Sequence, residues 1–74
     1  MRVTVLQTDR LLFEGAATQV VLPGAEGELS IFDHHAPMLC ALGAGLVQVD
    51  DRPFRIREGL ACMARNQLTI LTRP

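Results

Sequence analysis

The chain has 74 residues, with seven Arg and no Lys against eight acids, for a formal net charge of −1. That leaves room for one domain, residues 1–74, and excludes an enzyme with separate cofactor and substrate domains. It also lacks the basic excess that non-specific nucleic-acid binding needs to displace counterions from phosphates.

In chain order the residues read as short strands between turn signals. Val3 and Val5 alternate with Thr4, Leu6 and Thr8, and Thr8-Asp9-Arg10 is a turn. Residues 11–15 form a short strand closed by Gly15, and residues 17–22 a Val-rich one stopped by Pro23-Gly24. Residues 28–32 are short, residues 38–42 apolar throughout, and residues 45–49 alternate Leu46 and Gln48 with Val47 and Val49. Asp50-Asp51-Arg52-Pro53 is a hairpin turn, with Pro53 placed to start the next strand, where its missing N–H does least harm. Phe54 and Ile56 then alternate with Arg55 and Arg57. Residues 60–64 and 68–72 close the pattern around Arg65-Asn66-Gln67. Helical spacing is absent: the nearest candidate, residues 39–49, holds Gly43 and Gly45, each costing about 1 kcal/mol inside a helix. The prediction is an all-β sandwich of about eight to ten short, mostly antiparallel strands.

Apolar residues are 49% of the chain and charged ones 20%, so it folds, and a body this small leaves part of its apolar content on the surface. That is a first pointer to a partner protein. Cys40 and Cys62 both have apolar neighbours and read as reduced core or near-core thiols of a cytosolic protein, with a disulfide between them left open. No signal peptide is expected, because Met1-Arg2 leads straight into a strand. The uncharged stretch 36–49 holds Pro37, Gly43 and Gly45 and falls short of the roughly 20 apolar residues of a spanning helix.

The most informative segment runs from Pro23 to Leu39. Gly24 and Gly27 allow a tight reversal, and Ala36 is held extended by Pro37. The reversal presents Glu26 and Glu28 in one place, and the second turn presents His34 and His35 in another. Within it Gly24, Gly27, Glu28, Ile31, His35, Ala36 and Pro37 fall in order, flanked by Phe13-Glu14-Gly15, by Gly45 and its strand, and by Glu58-Gly59-Leu60 with Asn66 and its closing strand. This constellation resembles the epsilon subunit of F-type ATP synthases, called delta in mitochondria, over about residues 2–72. Ser30 and His34 stand where glycines are usual in that family, and the hairpin at 50–53 is short.

The resemblance implies a β-sandwich on the rotor of a rotary ATP synthase, packed by one face on the gamma shaft and resting by one end on the membrane ring of c subunits. It implies no catalytic residues, no metal and no cofactor. It places Glu26, Gly27 and Glu28 toward the c ring, where carboxylates accept charge-assisted bonds from basic loops. It places His35, Ala36, Pro37, Met38 and Cys40 toward gamma. It further implies a peripheral position on the cytoplasmic face of the cell membrane, with membrane contact only through the complex and no nucleic-acid partner. Most members continue into a C-terminal helical hairpin, so this chain is either one of the short members or a trimmed piece, and without the hairpin neither ATP binding nor inhibition is expected.

Read without the resemblance, other roles stay open. Glu26 and Glu28 serve equally as a solvated turn, His35 as a hydrogen bond holding the turn ahead of Pro37, and Met38 as core. Asp33, His34, His35 and Cys40, with Glu28 nearby, are ligand-type residues for a small metal site, although adjacent His side chains diverge and no Cys-x-x-Cys or His-x-x-x-His spacing occurs. A hydrolase pairing His35 with a Glu and a general β-sandwich interaction module are the remaining alternatives. Gly43-Ala44-Gly45 lacks the Lys and Ser/Thr of a phosphate loop.

Overall fold

Runs of β-branched and apolar residues cut by turn residues give nine strands, and no helix, in the computed structural model, which describes residues 1–73. They are β1 (Arg2–Gln7), β2 (Arg10–Ala16), β3 (Gln19–Gly24), β4 (Gly27–Phe32), β5 (Met38–Leu42), β6 (Gly45–Val49), β7 (Arg52–Ile56), β8 (Glu58–Ala64) and β9 (Gln67–Arg73). Each expected run falls on a strand, except that Ala17 and Thr18 of the 17–22 run precede β3 and Arg57 follows β7, and the all-β sandwich is borne out.

Four turns sit differently from expectation: Arg10 and Gln67, read as turn residues, already begin β2 and β9, and two others shift as follows. Pro23 and Gly24 end β3 instead of forming the reversal, which falls on Ala25-Glu26. The reason is pairing: Gly24 lies opposite Gly27 of β4 on one edge and Leu42 of β5 on the other. A Cβ on Gly24 would come within 2.5 Å of the Gly27 carbonyl oxygen, so only glycine permits this approach. Likewise Arg52 already pairs with Val49, which leaves Asp50-Asp51 as the turn and makes Pro53 the second residue of β7.

Hydrogen bonding joins all nine strands in the order β2-β1-β9-β8-β5-β3-β6-β7, with β4 paired to β3. The sheet folds over where β5 meets β3, so that β2-β1-β9-β8-β5 forms one layer and β4-β3-β6-β7 the other. The pairings are antiparallel except β1 with β9, which run parallel in register from Arg2↔Gln67 to Gln7↔Thr72. On the side away from the fold the layers meet through side chains. Phe13 of β2 contacts Phe54 of β7 with ring centroids 6.1 Å apart, and the Arg52 guanidinium lies 5.7 Å from the Phe13 ring centre. A bulge between Val5 and Leu6 leaves Leu12 without a partner, so that Leu12 and Phe13 both pack on the core.

The core takes Val3, Val5, Ala61, Met63, Leu68 and Ile70 from the first layer. From the second it takes Val20, Leu22, Ile31, Val47, Val49 and Ile56. Buried Thr72 satisfies its hydroxyl by donating to the Leu6 carbonyl oxygen at 3.3 Å, a bond across the parallel pair. Arg65 and Asn66 both have positive φ, 54° and 59°, the geometry of a two-residue hairpin turn whose twist matches its strands.

Leu22 is fully buried where β3 faces the first layer. Leu22→Ala is expected to destabilise the fold by about 2–5 kcal/mol, read as a lower urea midpoint at unchanged slope.

Candidate functional site

The two groups of residues singled out in the loop lie at opposite ends of the sandwich. Glu26 occupies the reversal before β4, and β4 then runs six residues to Phe32 before the 33–37 turn. At about 3.3 Å per residue the ends are close to 20 Å apart. The Glu26 end also carries the β1–β2 turn at Thr8-Asp9, Gly43-Ala44, Arg57 and Arg73. The other end carries Met1, the 33–37 turn, Asp50-Asp51 and Arg65-Asn66.

At the first end Glu26, Gly27 and Glu28 are all exposed. Gly27 adopts φ 137°, a conformation that side chains rarely take, and this aims the chain back along β3. The reversal and the start of β4 form one wall of a shallow groove whose other wall is Leu39, Cys40 and Ala41 of β5. Cys40, assigned by resemblance to a different partner from Glu26 and Glu28, thus lines the same groove as they do.

At the second end the turn is held from several directions. His34 takes φ 64°, the left-handed conformation that a glycine would adopt there, and its N–H donates to the Asn66 side-chain oxygen at 2.8 Å. The His35 N–H donates to the Phe32 carbonyl at 3.1 Å. The His35 ring nitrogen Nδ1 lies 2.7 Å from the Ala36 carbonyl oxygen, which orients the exposed ring ahead of Pro37. The Asp33 carboxylate pairs with the Met1 ammonium. The hydrogen bond from that ammonium holds the Asp33 carboxyl below the usual carboxylate range, against a partial opposing effect of desolvation. The ammonium also donates to the Ala17 carbonyl at 3.0 Å.

Alternation along β5 separates its residues by face. Cys40 lies opposite Ala61, which is buried, and Met38 opposite Met63, so both point to the core side. Leu39 and Ala41 point outward, and Leu39 is 73% exposed. Cys62, opposite Leu39, is exposed on the outer face, against the expectation of a core or near-core thiol. Both thiols are free, and lying on opposite faces they cannot bridge in this register. Among the described residues no three His, Cys, Asp or Glu side chains converge to hold a metal ion.

The surface that stands out was not singled out from sequence: the outer face of the five-stranded layer. Leu11, Leu6, Leu71, Leu60 and Ala41 follow one another across β2, β1, β9, β8 and β5, each opposite the next. Beside this row lie Cys62 and Leu39. Charges on this face sit at its margin, at Arg2, Glu14, Glu58 and Arg73. An uncharged, mainly apolar centre with a charged rim is the anatomy of a protein-binding surface.

A carboxylate clamp steadies the far end. Asp50 Oδ1 accepts from the Thr18 hydroxyl at 2.9 Å and from the Thr18 and Gln19 N–H groups at 3.1 Å each. The Thr18 hydroxyl bond leads in holding its carboxyl below the usual value of 3.8, with desolvation opposing and the backbone bonds assisting. A carboxyl depressed in the folded state adds stability that is complete above its unfolded pKa and lost as pH falls through the folded one. Thermal midpoints should therefore show Asp50→Asn below the parent at pH 7, with the gap closing as pH falls through and below the usual carboxylate value of 3.8.

Comparison with known proteins follows this geometry. The sequence profile of the ATP synthase Delta/Epsilon chain beta-sandwich domain matches residues 1–74. The chain is 36% identical over 75 aligned positions to the chloroplastic ATP synthase epsilon chain of Thalassiosira pseudonana, covering 96% of this chain and 56% of that one. It is 40% identical to ATP synthase epsilon chain 2 of Nitrobacter hamburgensis, covering 95% and 54%. It thus spans about half the length of the curated relatives it matches. Its fold superposes with a TM-score of 0.83 at 17% identity on a chain of the Tetrahymena thermophila mitochondrial ATP synthase central stalk and c-ring, covering 99% of this chain and 63% of that one.

Proposed function

Since the chain belongs to the family of ATP synthase delta/epsilon-chain β-sandwich domains, we propose that it works as a non-catalytic part of the rotor of an F-type ATP synthase. It sits in the central stalk, peripheral to the membrane on its cytoplasmic face, and links the gamma shaft to the c ring. Through that link, ion translocation at the ring couples to ATP synthesis or hydrolysis at the head.

The observation that carries this reading is the division of labour between side and end. The outer face of β2-β1-β9-β8-β5, with Leu39, Leu60 and Leu71 exposed, suits a mainly apolar contact with the shaft. The narrow end at Glu26, Gly27 and Glu28 suits a small polar contact with basic ring loops. A close-packed sandwich between them transmits torque because dense interiors have low compressibility. In this arrangement the gamma-facing residues on β5 are the outward Leu39 and Ala41, while Met38 and Cys40 support them from the core side. His35, Ala36 and Pro37 flank the same face at the start of β5 and meet gamma at its margin. Gly43-Ala44-Gly45 leads into β6 and so offers phosphate no helix N-terminus at that loop.

Affinity for the cognate gamma subunit tests this reading. Leu39→Asp and Leu60→Asp, at exposed positions that leave the core intact, are each expected to weaken gamma binding about 10–100-fold. Glu26→Gln with Glu28→Gln is expected to leave gamma affinity unchanged and to reduce retention of the gamma complex on detergent-solubilised c ring. Wild-type gamma affinity in both Asp variants would contradict the proposed face.

A further inference from the structure

At its centre the leucine face carries paired positions on either side of the line between β8 and β9. Glu58 lies opposite Arg73, Leu60 opposite Leu71, and Cys62 opposite Thr69. A two-fold axis along that line, in the plane of the face, exchanges the two members of every pair. A second copy laid on the face by this operation sets its Leu60 over Leu71 and its Leu71 over Leu60. It also sets its Glu58 against Arg73 and its Arg73 against Glu58.

The charges therefore complement themselves. Within one chain Arg73 already bonds Glu58 at 3.1 Å while both side chains stay largely exposed, so each keeps capacity for a second partner. Pairing makes an alternating group of four charges in which no like charges face each other. The remaining rim charges, Arg2 and Glu14, lie toward the β2 edge and are carried away from their own counterparts by the rotation. Between Leu60 and Leu71 the surface dips into a shallow depression floored at Gly59 and Thr72, which the second copy's leucines fill. Sheets stacked face to face cross at about 30°. That twist disturbs register least beside the axis, where these four residues lie.

We propose that unassembled copies of this chain pair face to face across the β8–β9 line, as an isologous dimer that docking on the gamma shaft displaces. The displacement clause rests on the rotor reading above; the pairing itself does not. The uncharged centre spans about 19 Å across five strands and about 7–14 Å along them. That is well under the ~800 Å² per partner of a standard interface, so the pairing belongs with weak, transient contacts. Such a dimer shields exposed leucines before assembly and yields to a larger, tighter contact.

Sedimentation equilibrium of the chain from 10 µM to 1 mM, with circular dichroism to confirm folding, tests the pairing. The parent chain is expected to dimerise reversibly. Glu58→Arg alone and Arg73→Glu alone each place like charges across the axis and are expected to raise the dissociation constant at least tenfold. An equimolar mixture of the two variants is expected to associate at least as tightly as the parent, because each supplies the charge the other lacks. Leu71→Arg is expected to stay monomeric alone and in every mixture. A parent chain monomeric at 1 mM, single variants that pair like the parent, or a mixture no tighter than its components would each overturn the proposal. Gamma binding measured at 5 µM, where the chain is monomeric, keeps the two readings apart: loss of pairing with gamma binding intact refutes only the dimer, and pairing without gamma binding refutes only the rotor role.

Discussion

β1 and β9 are the first and last strands of the chain, yet they lie side by side in parallel through six residue pairs. The five-stranded layer is incomplete without this contact. β1 carries β2 on its other edge and β9 carries β8, so the five-stranded layer exists only once the two ends of the sequence have met. The pair brings Val3 and Val5 beside Leu68 and Ile70 on the inside, all essentially without solvent contact. The same register brings Leu6 beside Leu71 on the outside. One pairing thus sets both the core and the apolar outer face. Such non-local pairing delays its return until the loop closes, so folding is expected to be slow for so small a domain.

Around that pair the sandwich separates tasks by direction. The broad side is apolar, and the narrow ends are polar turns. The end with His34 and His35 is tied down by Asn66, by the Met1 ammonium on Asp33 and by the Asp50 clamp, which gives His35 a structural role on the geometry seen. At the Glu26 end the Arg73–Glu58 pair and the Thr72–Leu6 bond lie away from the reversal, and Glu26 and Glu28 are exposed.

Much of the strand layout was legible because the turns carry distinctive residues and strands such as Phe54–Ile56 show clean alternation. What stayed hidden was phase. β5 and β8 are apolar on both faces: Leu60, Cys62 and Ala64 alternate with Ala61 and Met63, and hydrophobicity alone does not tell which set is inside. The sequence pattern therefore does not separate Leu39 from Met38 and Cys40, nor put Cys62 on the outer face. The available signal was indirect: strands apolar on both sides in a chain too small to bury both faces imply an outer apolar surface. Pro23-Gly24 misled for a different reason. The dipeptide usually marks a turn, but here glycine is required by close approach of β4 while β5 pairs on the other edge, a tertiary demand with no local trace. His34 shows the converse, since a left-handed residue without glycine is steadied by its hydrogen bond to the distant Asn66.

The account stands most directly on which surface meets the shaft. Amide chemical shifts of the isotopically labelled chain, followed as the cognate gamma subunit is added, report that surface residue by residue. The account predicts that the perturbed amides cluster on the outer face at Leu39, Ala41, Leu60, Cys62, Thr69 and Leu71, while Ser30, Leu46 and Gln48 of the opposite layer stay unmoved. Perturbations centred on β4, β6 and β7, with the leucine face silent, would contradict it.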